Sequence, residues 1–358
     1  MTIIVIIGIL ILGGIIYYAL KSSNKSSKDE MFISTQSQSS ERVKNLNLDE
    51  PTEDVSHILD KGKLNLPEIK LEEKEEYKAN PSREWIIDLI QINGDNFNKI
   101  DFNKMFDYEW RSNFQSTLFG FSPEENRWTY ANAGGTPDIY SKLQVAVDVQ
   151  GVYNDEENYS TEKLQRYLTE LEKRIKKYPT PLKIETNESI EDAIQKSKKL
   201  VSLQKEFNLD AIIVLQAKNK FKGIEIWDVL QSVGLKWGDM DLFHWNNYES
   251  DYGHDQHFSV WTSTNPGYFF PEEIKNGNMN PENLIFGFSV PRSADPINVQ
   301  KVMIEVVKYC QKRLGGEILD KNGNIFNEKK GTLQMIEFVD KMKGKGLIPG
   351  SDEALRMF

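Results

Sequence analysis

Residues 284–290 alternate strictly: Leu284, Phe286, Phe288 and Val290 are one set, Ile285, Gly287 and Ser289 the other. A period of two is that of a strand with one face in a core, and the aliphatic and aromatic set is the inward one. The same pattern over Phe258 to Thr264 turns Phe258 and Val260 inward and leaves Trp261 and Ser263 outside. Met240 to Trp245 reads as a strand with Met240, Leu242 and His244 on one face and Phe243 and Trp245 on the other. Ala211 to Leu215 is apolar at every position, which predicts a strand with apolar material on both faces. Between these strands, Ile224, Trp227, Leu230 and Val233 recur at helical spacing, and Gly234 is a natural stop. A helix over Ile297 to Leu314, a short strand over Glu317 to Asp320 and a helix near Thr332 to Lys343 complete the set. The prediction for residues 207–345 is an α/β domain of the α+β kind, an antiparallel sheet with helices on one face and an apolar open face. Residues 346–358 are left as a tail.

About 125 residues upstream the chain lays out a similar series, by the same reading of period and punctuation. Trp85 to Ile92 is the opening strand, Ile100 to Phe106 a short helix, Thr117 to Phe121 and Arg127 to Ala131 a hairpin, and Leu143 to Val149 the closing strand. Helices over Thr161 to Lys177 and Ser189 to Leu203 flank an extended piece at Leu182 to Glu185. Residues 82–206 therefore predict either a diverged copy of the downstream domain or an unrelated α+β domain of similar size. Leu143, Val145, Val147 and Val149 point inward and Gln144, Ala146, Asp148 and Gln150 outward, so its open face reads as the more polar of the two, that of a spacer or adaptor.

Ile3 to Leu20 is an unbroken run without charge. At 1.5 Å per residue it reaches roughly 27 Å, enough for a bilayer core, and residues 3–20 predict a transmembrane helix. A cleaved signal is the rival, without a basic residue before the run or a clear cleavage site. Lys21, Lys25 and Lys28 follow it, so the positive-inside rule places the N-terminus outside and the globular part in the cytoplasm. Residues 21–81 are rich in Ser, Asn, Lys and Glu and poor in side chains to bury, the composition of a disordered tether.

The chain of 358 residues carries a net charge of −10, which argues against nucleic acid as the main ligand, since phosphate binding needs clustered Lys and Arg. Its one cysteine, Cys310, lies among apolar neighbours in a predicted helix and reads as a buried structural thiol. Asp251, His254, Asp255 and His257 form the one metal-like cluster, yet a polar loop without cysteine most simply leaves them solvated. No phosphate-binding glycine loop or nucleophile elbow occurs. No catalytic residue, cofactor or metal site is expected.

The strings Gly238-Asp-Met-Asp-Leu-Phe-His244, Phe258-Ser-Val-Trp-Thr-Ser-Thr-Asn-Pro-Gly267 and Leu284-Ile-Phe-Gly-Phe-Ser-Val-Pro291 resemble the C-terminal domain of the bacterial cell-division protein ZipA. The resemblance covers Leu209 to about Met342 and extends to the N-terminal anchor. It implies a non-enzymatic, single-pass protein of the inner membrane, which binds the C-terminal tail peptide of FtsZ on its open sheet face and tethers the division ring at the septum. Carried over position by position, the peptide-binding residues are Ile212, Val214, Met240, Leu242, Trp261, Ser263, Ile285 and Gly287. The sequence departs from the family at three of them: Ser263 and Gly287 stand where the family has a Met and a Phe, and Trp261 where it has a small residue. The face is therefore remodelled, and a scaffold of the same fold with another peptide partner stays open as an alternative. A metal-binding protein or enzyme is a more distant one.

Overall fold

The computed structural model describes residues 39–67, 77–153, 157–248, 250 and 252–358. The anchor expected over residues 3–20 lies outside them, and among the described residues no helix is long and apolar enough to cross a membrane. The chain forms two compact units, one of residues 70–208 and one that joins the segment before residue 70 to residues 209–356.

The 70–208 unit contains β1 (Glu84–Gln91), β2 (Phe97–Asn98), α1 (Lys99–Met105), α2 (Tyr108–Asn113), β3 (Thr117–Ser122), β4 (Arg127–Tyr130), β5 (Ile139–Tyr140), β6 (Lys142–Asp148), α3 (Glu157–Arg174), β7 (Leu182–Thr186) and α4 (Ile190–Phe207). Its main sheet has the order β4-β3-β6-β1-β7 and is antiparallel at every junction. Leu143, Val145 and Val147 are buried as their alternation predicts. The other face is less polar than expected. Phe119 and Phe121 pair with Tyr130 and Trp128 on that side, and Tyr77 stacks on Tyr130 with ring centroids 4.7 Å apart. Residues 77–79 thus close a second small core with Ile86, Phe119 and Ala146; the hairpin brought aromatics to a face whose polarity was read from the closing strand alone.

The other unit contains β8 (Asp210–Gln216), α5 (Gly223–Ser232), β9 (Lys236–Trp237), β10 (Phe243–Asn246), β11 (Gln256–Trp261), α6 (Pro271–Lys275), β12 (Asn283–Ser289), α7 (Pro296–Leu314), β13 (Glu317–Asp320), α8 (Glu328–Gly344) and α9 (Asp352–Met357). Its sheet runs β13-β8-β12-β11-β10-β9. In both units the opening strand lies between the closing strand and the short strand that separates the two long helices, β6-β1-β7 in one and β12-β8-β13 in the other. The hairpins, however, enter in opposite order. β3, the first of its pair, lies beside β6, whereas β11, the second of its pair, lies beside β12. Three strands and two helices agree with a duplication, and the hairpins do not.

Ala211, Ile213 and Leu215 of β8, Phe243 and Trp245 of β10, Phe258 and Val260 of β11, and Leu284, Phe286 and Phe288 of β12 form one core with Val299, Val302, Met303, Val306 and Cys310 of α7. Burial pushes the Cys310 thiol far up, away from the reactive thiolate. Contrary to the expectation for β8, its faces alternate: Ile212, Val214 and Gln216 are only partly buried. An all-apolar run buries one face and leaves the other apolar but open.

The largest correction concerns the tether. Residues 39–67 are folded against this unit, with Val43, Leu48, Leu59 and Leu64 inside its core and Leu46, Val55, Ile58 and Leu66 packed around it. Backbone and side-chain bonds hold this strap along its length: Arg42 donates twice to Glu272 at 2.7 and 2.6 Å, Val55 N–H donates to the Ser232 carbonyl at 2.8 Å, Lys63 pairs with Glu305 at 2.7 Å and Asn65 N–H donates to Asp295 at 2.8 Å. Gly234, with φ +90°, ends α5, and a Cβ there would come within 3.0 Å of Ser56. Composition predicted disorder because the apolar residues are few; they suffice because Val43, Leu48, Leu59 and Leu64 are all buried in the core of this unit. The expected tail is folded as well. Leu347 is buried, Gly350 bonds through its backbone to Gly253 and Pro291, and Ser351 caps α9.

Candidate peptide-binding face

The sheet of the C-terminal unit has helices and strap on its core side, and its register sets what faces away. Val214 pairs with Ile285, Ile285 with Trp261, and Leu319 with Val214, so these side chains share the open face as one row across β11, β12, β8 and β13. Two extensions complete it. One position beyond the Phe243–Val260 pair, Leu242 comes level with Trp261. At the other end Ile325 bridges back to Leu319. At about 4.8 Å per strand the row Leu242-Trp261-Ile285-Val214-Leu319-Ile325 is roughly 24 Å long. Ile325 is 70% exposed, and the turn before it is fastened: Asp320 accepts from the Asn322 and Asn324 amides at 2.9 Å each, a turn side chain bonded to its own backbone.

A second row, Ile212-Gly287-Ser259-His244, runs beside the first. His244 is buried at its end. Its Nε2 lies 2.8 Å from the Asp239 carbonyl and its Nδ1 2.8 Å from Ser259 Oγ. A carbonyl only accepts, so Nε2 carries the proton and Nδ1 accepts from the serine hydroxyl. Desolvation holds this imidazole below its usual pKa, neutral in the folded protein. The histidine therefore ends the face and does not line it.

Met240 is not on a strand. It stands in a tight turn over Asp239–Asp241 with φ +54°, followed by Asp241 at +57°, and β10 begins only at Phe243. The turn is fastened by Phe269 N–H to the Asp241 carbonyl at 2.9 Å. Met240 projects 54% exposed at the rim. Ser263 lies past the end of β11, exposed, with its amide and hydroxyl both bonded to Asn283, at 2.9 and 2.7 Å. Of the sequence-predicted residues, Ile212, Val214, Leu242, Trp261, Ile285 and Gly287 thus come together; Met240 and Ser263 flank them. Leu319 and Ile325 were missed. Alternation in Glu317–Asp320 marks Leu319 as outward, and the Asn322-Gly323 turn that returns the chain to Leu319 is the signal that could have found Ile325.

The histidines of the 246–257 loop also differ from expectation. The β10–β11 register shifts between Trp245 and Asn246, and this bulge re-aims His257 onto the Trp245 ring, 4.4 Å between centroids, where it is 2% exposed. Desolvation lowers the pKa of His257 and of His254 to about 4. Neither is the solvated loop histidine that the sequence suggested. Among the described residues no group of His, Cys, Asp and Glu is arranged to hold a metal.

Residues 209–334 match the family model described as ZipA, C-terminal FtsZ-binding domain. The cell division protein ZipA of Shewanella loihica is 28% identical over 127 residues, 35% of this chain and 37% of the relative. That of Pseudomonas aeruginosa is 28% identical over 126 residues, 35% of this chain and 40% of the relative, and that of Marinobacter nauticus 25% over 113 residues, 32% of each. The matches to these three span between 32% and 40% of the relatives' own length.

Proposed function

From the membership of residues 209–334 in the ZipA family, we infer that this protein is a cell-division adaptor, not an enzyme, whose open sheet face binds the C-terminal tail of FtsZ. The observation that carries the reading is the apolar row from Leu242 to Ile325 on the outward face of the matched domain. Because the row crosses strands whose backbone groups are already paired, a peptide lying along it cannot add a strand. It meets its own backbone needs as a helix, and the 5.4 Å helix pitch nearly matches the strand spacing of about 4.8 Å, one apolar side chain per turn over each strand.

The apolar run at residues 3–20 supports an anchor in the inner membrane, with the folded units in the cytoplasm and the FtsZ ring tethered at the septum. A second reading, the same face with a different peptide partner, is favoured by one observation: Trp261 and Gly287 give the middle of the face a shape of its own.

Titration of a fluorescent FtsZ tail peptide decides between them. Affinity is expected to be micromolar or weaker, since a disordered tail is ordered on binding. Leu242→Asp and Val214→Asp each remove about 1.5 to 3 kcal/mol of apolar contact and should weaken it tenfold or more. No binding by the wild type would overturn the FtsZ reading in favour of another partner.

A further inference from the structure

Gly287 lies on the outward face of β12 and yet is buried. Its cover is Trp261. The indole starts from the adjacent strand, opposite Ile285, and leans diagonally, so that a Cβ built on residue 287 would lie 2.7 Å from Cη2 and 3.2 Å from Cζ3, besides 3.1 Å from the Ala211 carbonyl. Real Cβ atoms essentially never approach this closely, so the indole as placed occupies the space where any other residue would begin its side chain and would have to move to admit one. Ile212 and Ser259, the register partners of Gly287, bound the same spot on either side. Without the indole, the middle of the second row would be a depression floored by bare backbone.

We propose that Trp261 is the specificity-determining residue of this face: its indole fills the depression over Gly287 from within, so the partner peptide must place a small side chain there. This rests on the peptide-binding reading above and deepens it. The argument is one of volume. Close-packed surfaces have room for one occupant, and a place already held by an aromatic ring cannot take a large ligand side chain, whereas the same place vacated leaves a hole that a small one cannot fill. Even one methylene too many or too few in such a site changes binding about tenfold or more. Trp261 and Gly287 are therefore a complementary pair, bulk on β11 matched by its absence on β12.

The test is a peptide series on the full chain. Each apolar position of the FtsZ tail is set in turn to Ala, Leu and Phe, and affinities are measured for wild type, Trp261→Phe and Trp261→Ala. Trp261 is only partly buried, so the variants should fold, and matched circular dichroism melts confirm it. At one peptide position the wild type should prefer Ala over Phe, Trp261→Ala should reverse the order by about tenfold or more, and Trp261→Phe should fall between. An unchanged order in all three proteins, with affinity merely lowered, would overturn the proposal and leave Trp261 as a generic contact. Binding of no peptide by the wild type would instead overturn the partner reading, and this inference with it.

Discussion

The Trp227 indole N–H of α5 donates to the Leu48 carbonyl at 2.8 Å, a buried bond between residues 179 positions apart. It joins the segment read as a tether to α5 of the C-terminal unit, and so makes the 70–208 unit an insertion within a discontinuous domain. Arg313 extends the link, pairing with Glu53 of the strap and with Asp228 of α5, the latter at 2.9 Å.

Residues 209–358 alone should therefore be less stable than the same residues with the strap. The strap places Val43, Leu48, Leu59 and Leu64 in the core of the unit, and removing it exposes the apolar surface these side chains cover. A net loss on the order of 2 kcal/mol would lower the melting temperature by about 4 to 8 °C. Calorimetry on the two forms checks this, and equal melts would mean that the strap docks without stabilising.

The row is longer than the residues carried over from the family. Ile325→Asp, at an exposed position, should leave stability within about 0.5 kcal/mol and weaken tail-peptide binding by about tenfold. Leu319→Asp should do the same with some cost to β13. Unchanged affinity for both would end the binding face at β8.

His244, His254 and His257 all have folded pKa values depressed by desolvation, to about 4 for the latter two. Each is neutral in the folded state and binds a proton more readily unfolded, near pH 6.5. Their contribution is thus fully present above about pH 6.5 and is lost as pH falls through the folded values, about 4 for His254 and His257. Melting temperature should decline across that window, and His257→Gln should flatten the decline. An identical slope in the variant would remove His257 from the account.

Deleting residues 3–20 should move the protein from the membrane fraction to the soluble one while leaving tail-peptide affinity unchanged. In intact spheroplasts, added protease should spare the folded units, since Lys21, Lys25 and Lys28 follow the apolar run. Digestion with a cytoplasmic control protected would reverse the topology.

What the sequence determined by itself was whatever repeats locally. Alternation in β11 and β12 assigned Phe258, Val260, Leu284, Phe286 and Phe288 to the core and Trp261, Ile285 and Gly287 to the face, because a sheet with one buried side enforces a period of two. Helical spacing similarly located α5 and α7 to within a residue or two. Tertiary structure alone decided the rest. Val43, Leu48, Leu59 and Leu64 follow no period, and each is buried by a surface assembled from residues far along the chain. A one-residue bulge turned His257 inward, and two left-handed residues took Met240 off its strand. These depend on the side on which a neighbouring strand or turn lies, and the strap in particular is held by contacts with residues far along the chain, which local pattern does not encode.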